Sequence, residues 1–223
     1  MGADLILLGG DYAPAVKPNY APVPFDEAAA IMAEMTAPLG RYAILGNHDW
    51  QEDPIAKQNG RLPNRFATAL ESHGIPVLSN KAVSLGAFWL AGLEDRRVYG
   101  SRFKTRFEGL DDLAGTMAQV PEKEPVILLA HEPDIFPEVP ETVALTLSGH
   151  THGGQIRLFG KTPVVPSRYG SRYVYGHIRE GNRDLVVSGG LGCSGVPLRL
   201  GVTPEITRIE LRSAQHARKA GSL

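Results

Sequence analysis

The sequence predicts an α/β fold, and three features carry that expectation. Short apolar runs of strand type recur along the chain, helix-like stretches separate the early ones, and the last third turns to strands punctuated by Gly and Pro. The runs at 5–8, 42–45, 126–129 and 144–147 are continuous and bounded by turn residues, the pattern of strands buried on both faces. Each leads into a residue that can hold a metal ion: Asp11 after Gly9-Gly10, then Asn47, His48 and Asp49 after Gly46, then His131, then His150 and His152 after Gly149. In sheets of this kind ligands collect at the carboxyl ends of the strands. Asp11, Asn47, His131, His150 and His152 are therefore expected along one sheet edge, as a centre that binds more than one ion.

The elements follow in order. The chain opens inside the 5–8 strand and passes through a Pro-rich turn at 14–24. A helix is expected over 25–37, with Asp26 and Glu27 near its positive end. After the 42–45 strand, 56–72 has helical character, with Pro63 suited to a first turn. Strands are expected at 75–78 and 88–93, with 81–85 a third candidate. The segment 96–112 is charged and irregular, with Arg96, Arg97, Arg102, Lys104 and Arg106 set among aromatics. It is either a solvated loop leading into a helix near 110–119 or an anion-attracting insertion that faces substrate. Beyond 144–147, strands are expected at 157–159, 173–178, 185–188 and 205–211, followed by a polar tail at 213–223. A single domain over 1–212 accounts for all of this.

Composition narrows the function. The chain has 223 residues, 43% hydrophobic and 21% charged, ordinary for a globular protein with a sizeable core. A net charge of −1 supplies no net attraction to nucleic acid or to an anionic membrane. No apolar run reaches the roughly 18 residues that span a bilayer. The first residues lack the basic flank of a secretory leader, and Ile6 stands where myristoylation requires Ser or Thr. A cytoplasmic location is expected for the chain as given, with peripheral membrane association open. The lone Cys193 permits no intrachain disulfide and reads as a small loop residue. Arg168 and Arg199 read as solvated loop residues, and His73, His177 and His216 lack a metal-site setting.

The chemistry lies in the combination. His150 and His152, one residue apart, can share an ion or serve two neighbouring ones, and Gly149, Gly153 and Gly154 permit close backbone approach. Gly46-Asn47-His48-Asp49 adds an amide oxygen, an imidazole and a carboxylate in succession. Such donors suit zinc, manganese or iron. Taken singly, Asp11 and Asp49 could be helix caps and Asn47 a left-handed turn residue. Their joint order favours a site.

Gly10-Asp11, Gly46-Asn47-His48-Asp49, His131 and Gly149-His150-Thr151-His152 resemble, in order, the motifs of the calcineurin-like metallophosphoesterase superfamily. The segments 165–170 and 189–195 are similar to a bacterial branch that includes UDP-2,3-diacylglucosamine pyrophosphohydrolase-like phosphodiesterases. The resemblance implies a four-layer α/β/β/α sandwich of two mixed sheets flanked by helices. It implies hydrolysis of a phosphodiester or pyrophosphate by a metal-activated water at a dinuclear site holding Mn, Zn or Fe. The substrate would be a small molecule or lipid-linked, and no protein partner is implied. Asp11 would bridge two ions, Asn47, His131 and His150 would complete one, and His152 would serve the other. His48 would donate a proton to the leaving group, oriented by Asp49. The family's first motif, Asp-x-His on a preceding strand, does not precede Asp11 here, so the first strand is expected to be missing. The expectation is a truncated enzyme, a natural one-ion variant, or a degenerate non-catalytic metal-binding domain. A metal-dependent amidohydrolase also uses His-x-His but gives Gly-Asn-His-Asp no place.

Overall fold

In the computed structural model, which describes residues 2–13, 23–59, 63–98 and 108–212, the apolar runs assemble into two sheets. β1 (Ile6–Leu8) and β2 (Arg41–Ala43) pair in parallel, with Leu7 beside Tyr42. The larger sheet contains β3 (Lys81–Ser84), β4 (Trp89–Gly92), β5 (Val126–Leu129), β6 (Val143–Ser148), β7 (Gly176–Glu180) and β8 (Arg183–Val187). Its order is β3-β4-β5-β6-β8-β7, parallel from β4 to β8 and antiparallel at both edges. The helices are α1 (Phe25–Ala33), α2 (Asn47–Gln51), α3 (Pro54–Asn59), α4 (Arg65–Ser72) and α5 (Leu113–Met117), with a 3-10 turn at Pro133–Glu138.

Three apolar cores separate four layers. Ala29, Phe66 and Leu70 pack the helices onto the outer face of the small sheet through Ala43 and Leu45. Ile44, Leu78, Leu90, Ile127 and Leu129 fill the space between the sheets, with Leu7 and Leu147 against them. Leu128, Phe136, Tyr173 and Leu185 form the core beneath the larger sheet. β5 shows why its sequence has no polar alternation: Val126 and Leu128 enter one core while Ile127 and Leu129 enter another. Truncating Leu128, wholly buried, is expected to cost about 2–5 kcal/mol. The four-layer α/β/β/α architecture is therefore present.

Several element expectations need correction. The helix at 56–72 is two helices, and Pro63 precedes α4 instead of lying in its first turn. Asn64 caps α4, its side chain accepting from Phe66 N–H at 2.9 Å. The 25–37 helix ends at Ala33, and the 110–119 helix shrinks to α5, capped by Asp112. The 75–78 strand reduces to one bridge, Ala43 to Val77, and 157–159 to one, Leu158 to Lys161, with another just before it from Ile156 to Leu200. β7 starts at Gly176, where a φ of 83° interrupts the expected 173–178 run and leaves Tyr173 in the lower core. Residues 205–211 have strand-like composition yet pair with no strand among the described residues. Glu205 N–H bonds to Gly190 O at 3.0 Å, and 206–212 make no backbone–backbone hydrogen bond among the described residues. That segment walls a groove of about 1200 Å³ over Phe88, Ile127, Leu145 and Val186, which none of the metal-site residues lines. Residues 14–22, 99–107 (with Arg102, Lys104 and Arg106) and the tail with His216 lie outside the described residues. No helix among those described is long and apolar enough to cross a membrane.

Candidate metal centre

Asp11 follows β1 with a left-handed φ of 59°. Its loop backs onto Gly46, where chain contact leaves no room for a side chain. A Cβ at Gly10 would lie 2.5 Å from Gly46 N, and one at Gly46 would overlap Asp11 Oδ1 and sit 2.8 Å from His131 Cε1. Gly46 precedes α2, so Asn47 and His48 occupy its first turn, and His48 N–H donates to Asp11 Oδ1 at 2.9 Å. The Asp49 carboxylate accepts N–H bonds from Asp11, Ala13 and Gly46, each at 2.8 Å. One buried side chain thus ties the Asp11 loop to the start of α2.

The two central histidines come from the larger sheet. His131 follows β5, with Nδ1 2.7 Å from Gly9 O. A carbonyl only accepts, so Nδ1 carries a proton and Nε2 turns inward. That nitrogen lies 3.1 Å from Asp11 Oδ2 and 3.3 Å from His150 Nδ1. His150 follows β6 in the same manner: its outer Nε2 faces Pro166 O at 3.1 Å, leaving Nδ1 inward. Donor atoms of Asp11, His131 and His150 lie within 4.8 Å of one another. His150 and His152 hold φ of 63° and 53°, a left-handed conformation costing about 1–3 kcal/mol per residue. Strain of this kind persists only where surrounding contacts enforce it.

The charges are unbalanced. Burial alone would raise the Asp11 carboxyl, but His131, and more weakly His48 and His150, hold it well below the usual carboxylate range. Burial works against a charged His131, and the Asp11 carboxylate overrides it, lifting the imidazole to about 10. Burial and the His131 charge push His150 down to about 3, leaving it neutral. Asp49 and Asp95 are each raised to about 7, chiefly by burial.

The residues fit a resident cation. Asn47 Oδ1 and His152 Nδ1 are buried without a hydrogen-bond partner, a condition costing about 1–3 kcal/mol per group that a positive ion would relieve. The donors are oxygens and imidazole nitrogens without a thiolate, as zinc, manganese or iron would take.

Residues 1–154 match the family described as calcineurin-like phosphoesterase. The chain belongs to that family. It is 31% identical over 184 residues to the uncharacterized metallophosphoesterase YkuE of Bacillus subtilis, covering 82% of this chain and 60% of that protein. It is 30% identical over 210 residues to an uncharacterized metallophosphoesterase of Aquifex aeolicus, covering 94% and 73%. It is 35% identical over 221 residues to phosphodiesterase YaeI of Escherichia coli, covering 93% and 70%. Membership and the Asp11–His131–His150 cluster together support metal-dependent phosphoester hydrolysis.

The sequence-predicted residues fall into three groups. Asp11, His131 and His150 converge, and Asn47 and His48 adjoin them on α2. His152 stands outside the tight cluster, although the charge of Asp11 still reaches its ring. Asp49 is not hydrogen-bonded to His48: its oxygens are taken by backbone amides, and His48 Nδ1 is buried without a partner. Its place in the structure is to fix Asp11, because three converging N–H groups satisfy its carboxylate better than one imidazole could.

The motif pattern passes over three side chains beside the cluster. Asp95, beyond β4, is buried with Oδ2 unpartnered, and Glu132 lies 3.6 Å from His150 Nε2. Arg97 Nη1 approaches that nitrogen at 3.5 Å and Pro166 O at 3.2 Å, while its Nε lies 3.4 Å from Glu132. Asp95 obeys the strand-end rule that locates the others. Arg199 is also not a solvated loop residue: it donates to the carbonyls of Gly192, His152 and Gly189.

Proposed function

We propose that the protein hydrolyses a phosphodiester or pyrophosphate with divalent ions held by Asp11, Asn47, His131, His150 and His152. The observation that carries this reading is the orientation of two imidazoles. The outer nitrogens of His131 and His150 each face a backbone carbonyl, which aims His131 Nε2 and His150 Nδ1 at the Asp11 carboxylate. Asp11, with two oxygens and a negative charge, would hold the ions together with His131, His150, Asn47 and His152. When bound, such ions polarise phosphoryl oxygens and lower the pKa of water.

The chain's own groups supply positioning and a proton. His48 N–H fixes Asp11, and the His48 ring, on the first turn of α2, is assigned the proton for the leaving oxygen. Asp49 sets the loop that presents Asp11. Arg97, beside His150, is placed to meet an anionic oxygen of the substrate. The test is turnover of bis(p-nitrophenyl) phosphate with and without added manganese, together with elemental analysis. Metal-stimulated turnover is expected. Ions bound without any turnover would favour a non-catalytic metal-binding domain, and the ion count per chain separates one-ion from two-ion occupancy.

A further inference from the structure

On the rim of the metal centre, two loops are joined into one platform. Arg157 N–H bonds to Leu200 O at 2.7 Å, and Leu200 N–H to Gln155 O at 3.0 Å. The Gln155 amide reaches across, accepting from Ser194 N–H at 2.7 Å and donating to the carbonyls of Ser194 and Val196. From this base a tight turn projects: Leu158 and Lys161 exchange both backbone bonds at 2.9 Å around Phe159 and Gly160, with φ of 51° and 77°. Phe159 at its tip is fully exposed, and Leu158, Val164, Val196 and Leu198 are exposed around it. The turn is therefore built to display an aromatic ring, where burial would be the ordinary outcome.

The two loops that form this platform carry basic residues and no acidic ones, and Glu205 approaches from outside them, accepting from Tyr175 O–H at 2.6 Å and Gly189 N–H at 3.0 Å. No Asp or Glu occurs in 149–179 or in 188–204, although the chain carries 24 acidic residues. Arg168 and Arg172 have carboxylate partners from other segments. Among the described residues none lies within ion-pairing distance of Arg157, Lys161 or Arg199: Arg157 sits over the Tyr175 ring, and Arg199 is held by carbonyls. The platform joins the site through Arg199 to His152 O and through Pro166 O to His150.

We propose that this platform docks onto an anionic phospholipid surface. Phe159 and the aliphatic side chains would enter the acyl boundary while Arg157 and Lys161 meet lipid phosphates, the pairing that holds interfacial segments on membranes. Docking would bring the metal centre to phosphoester headgroups, a substrate assignment that rests on the hydrolytic reading; the docking itself does not.

The test is flotation of the full chain with vesicles of phosphatidylcholine alone or mixed with phosphatidylglycerol, in chelator and without substrate. Binding to the anionic vesicles is expected, weakening with salt. Phe159→Ser should weaken it about tenfold or more. Arg157→Gln and Lys161→Gln should each weaken it about fivefold. All three variants should keep their melting temperature and their turnover of a soluble phosphodiester. The proposal is overturned if anionic vesicles bind no better than neutral ones, or if Phe159→Ser binds like the unchanged protein. It is equally overturned if light scattering shows Phe159-dependent self-association without vesicle binding. Vesicle binding by a protein with no turnover would leave docking standing and remove the hydrolytic reading.

Discussion

The two sheets contribute the two halves of the metal centre by different means. His131 and His150 extend adjacent strands in the middle of the larger sheet, where the ladder continues past the strand ends: Ala130 N–H bonds to Leu147 O and Gly149 N–H to His131 O, each at 3.0 Å. Main chain holds that half. Asp11, Asn47 and His48 ride on a small sheet whose strands are three residues long, and there a side chain does the holding. Asp49 gathers the amides of 11, 13 and 46, and two glycines let the loops touch. The histidine half should therefore tolerate substitution around it, while the aspartate half should depend on a few atoms.

The contrast can be broken most forcefully at its centre. Asp11→Ala should abolish ion retention by elemental analysis and bring phosphodiester turnover to background; retained ions would show that the histidines suffice. His48→Ala should lower kcat by about 10²–10⁴-fold with ion content unchanged, and equal ion loss would move His48 into the ligand set. Asp49→Ala leaves three amides unmatched, those of Ala13 and Gly46 buried and that of Asp11 partly so, and should cost roughly 3 kcal/mol or more in urea unfolding, with turnover falling in parallel.

A subtler test uses protons. In the ion-free protein His131 stays protonated to about pH 10, so ion uptake near neutrality must expel its inward proton. Calorimetry in buffers of differing ionisation enthalpy should show about one proton released for the ion that His131 holds, with the affinity for that ion rising about tenfold per pH unit. The stability that the raised His131 contributes is fully present below its ordinary 6.5 and lost as pH rises through about 10. That of the depressed Asp11 is present above its ordinary 3.8 and lost as pH falls further. The smallest effect belongs to Asn64, which caps α4 and donates to Asp49 O at 2.8 Å. Asn64→Ala should cost about 1 kcal/mol without changing ion content. A change in ion affinity would show that the small sheet depends on more than Asp49.

The histidine half was the more legible from sequence. A buried strand must end somewhere, and a polar residue at the end of an all-apolar run has the sheet edge as its natural place; this located both His131 and His150, and from the aspartate half Asp11 as well. The partner of Asp49 was not legible, because nothing local distinguishes a carboxylate aimed at an imidazole from one aimed at three distant amides. Glu132 escaped for a related reason, since its importance lies in burial beside the cluster, which spacing does not encode; Asp95 stands just beyond a strand end but belongs to none of the ordered motifs. The helix over 56–72 divided because Asn64, a strong cap, outweighs a helical pattern at long range. Residues 205–211 have the composition of a strand, but a strand also needs a neighbour, and composition cannot supply one.

That last segment has a practical consequence. Peptide groups from 206 to 212 find no backbone mate among the described residues, and Ile206 and Leu211 stand open to water beside them. A bare edge of this sort recruits other bare edges, so crowding the purified protein should drive it out of solution sooner than its unremarkable charge would suggest.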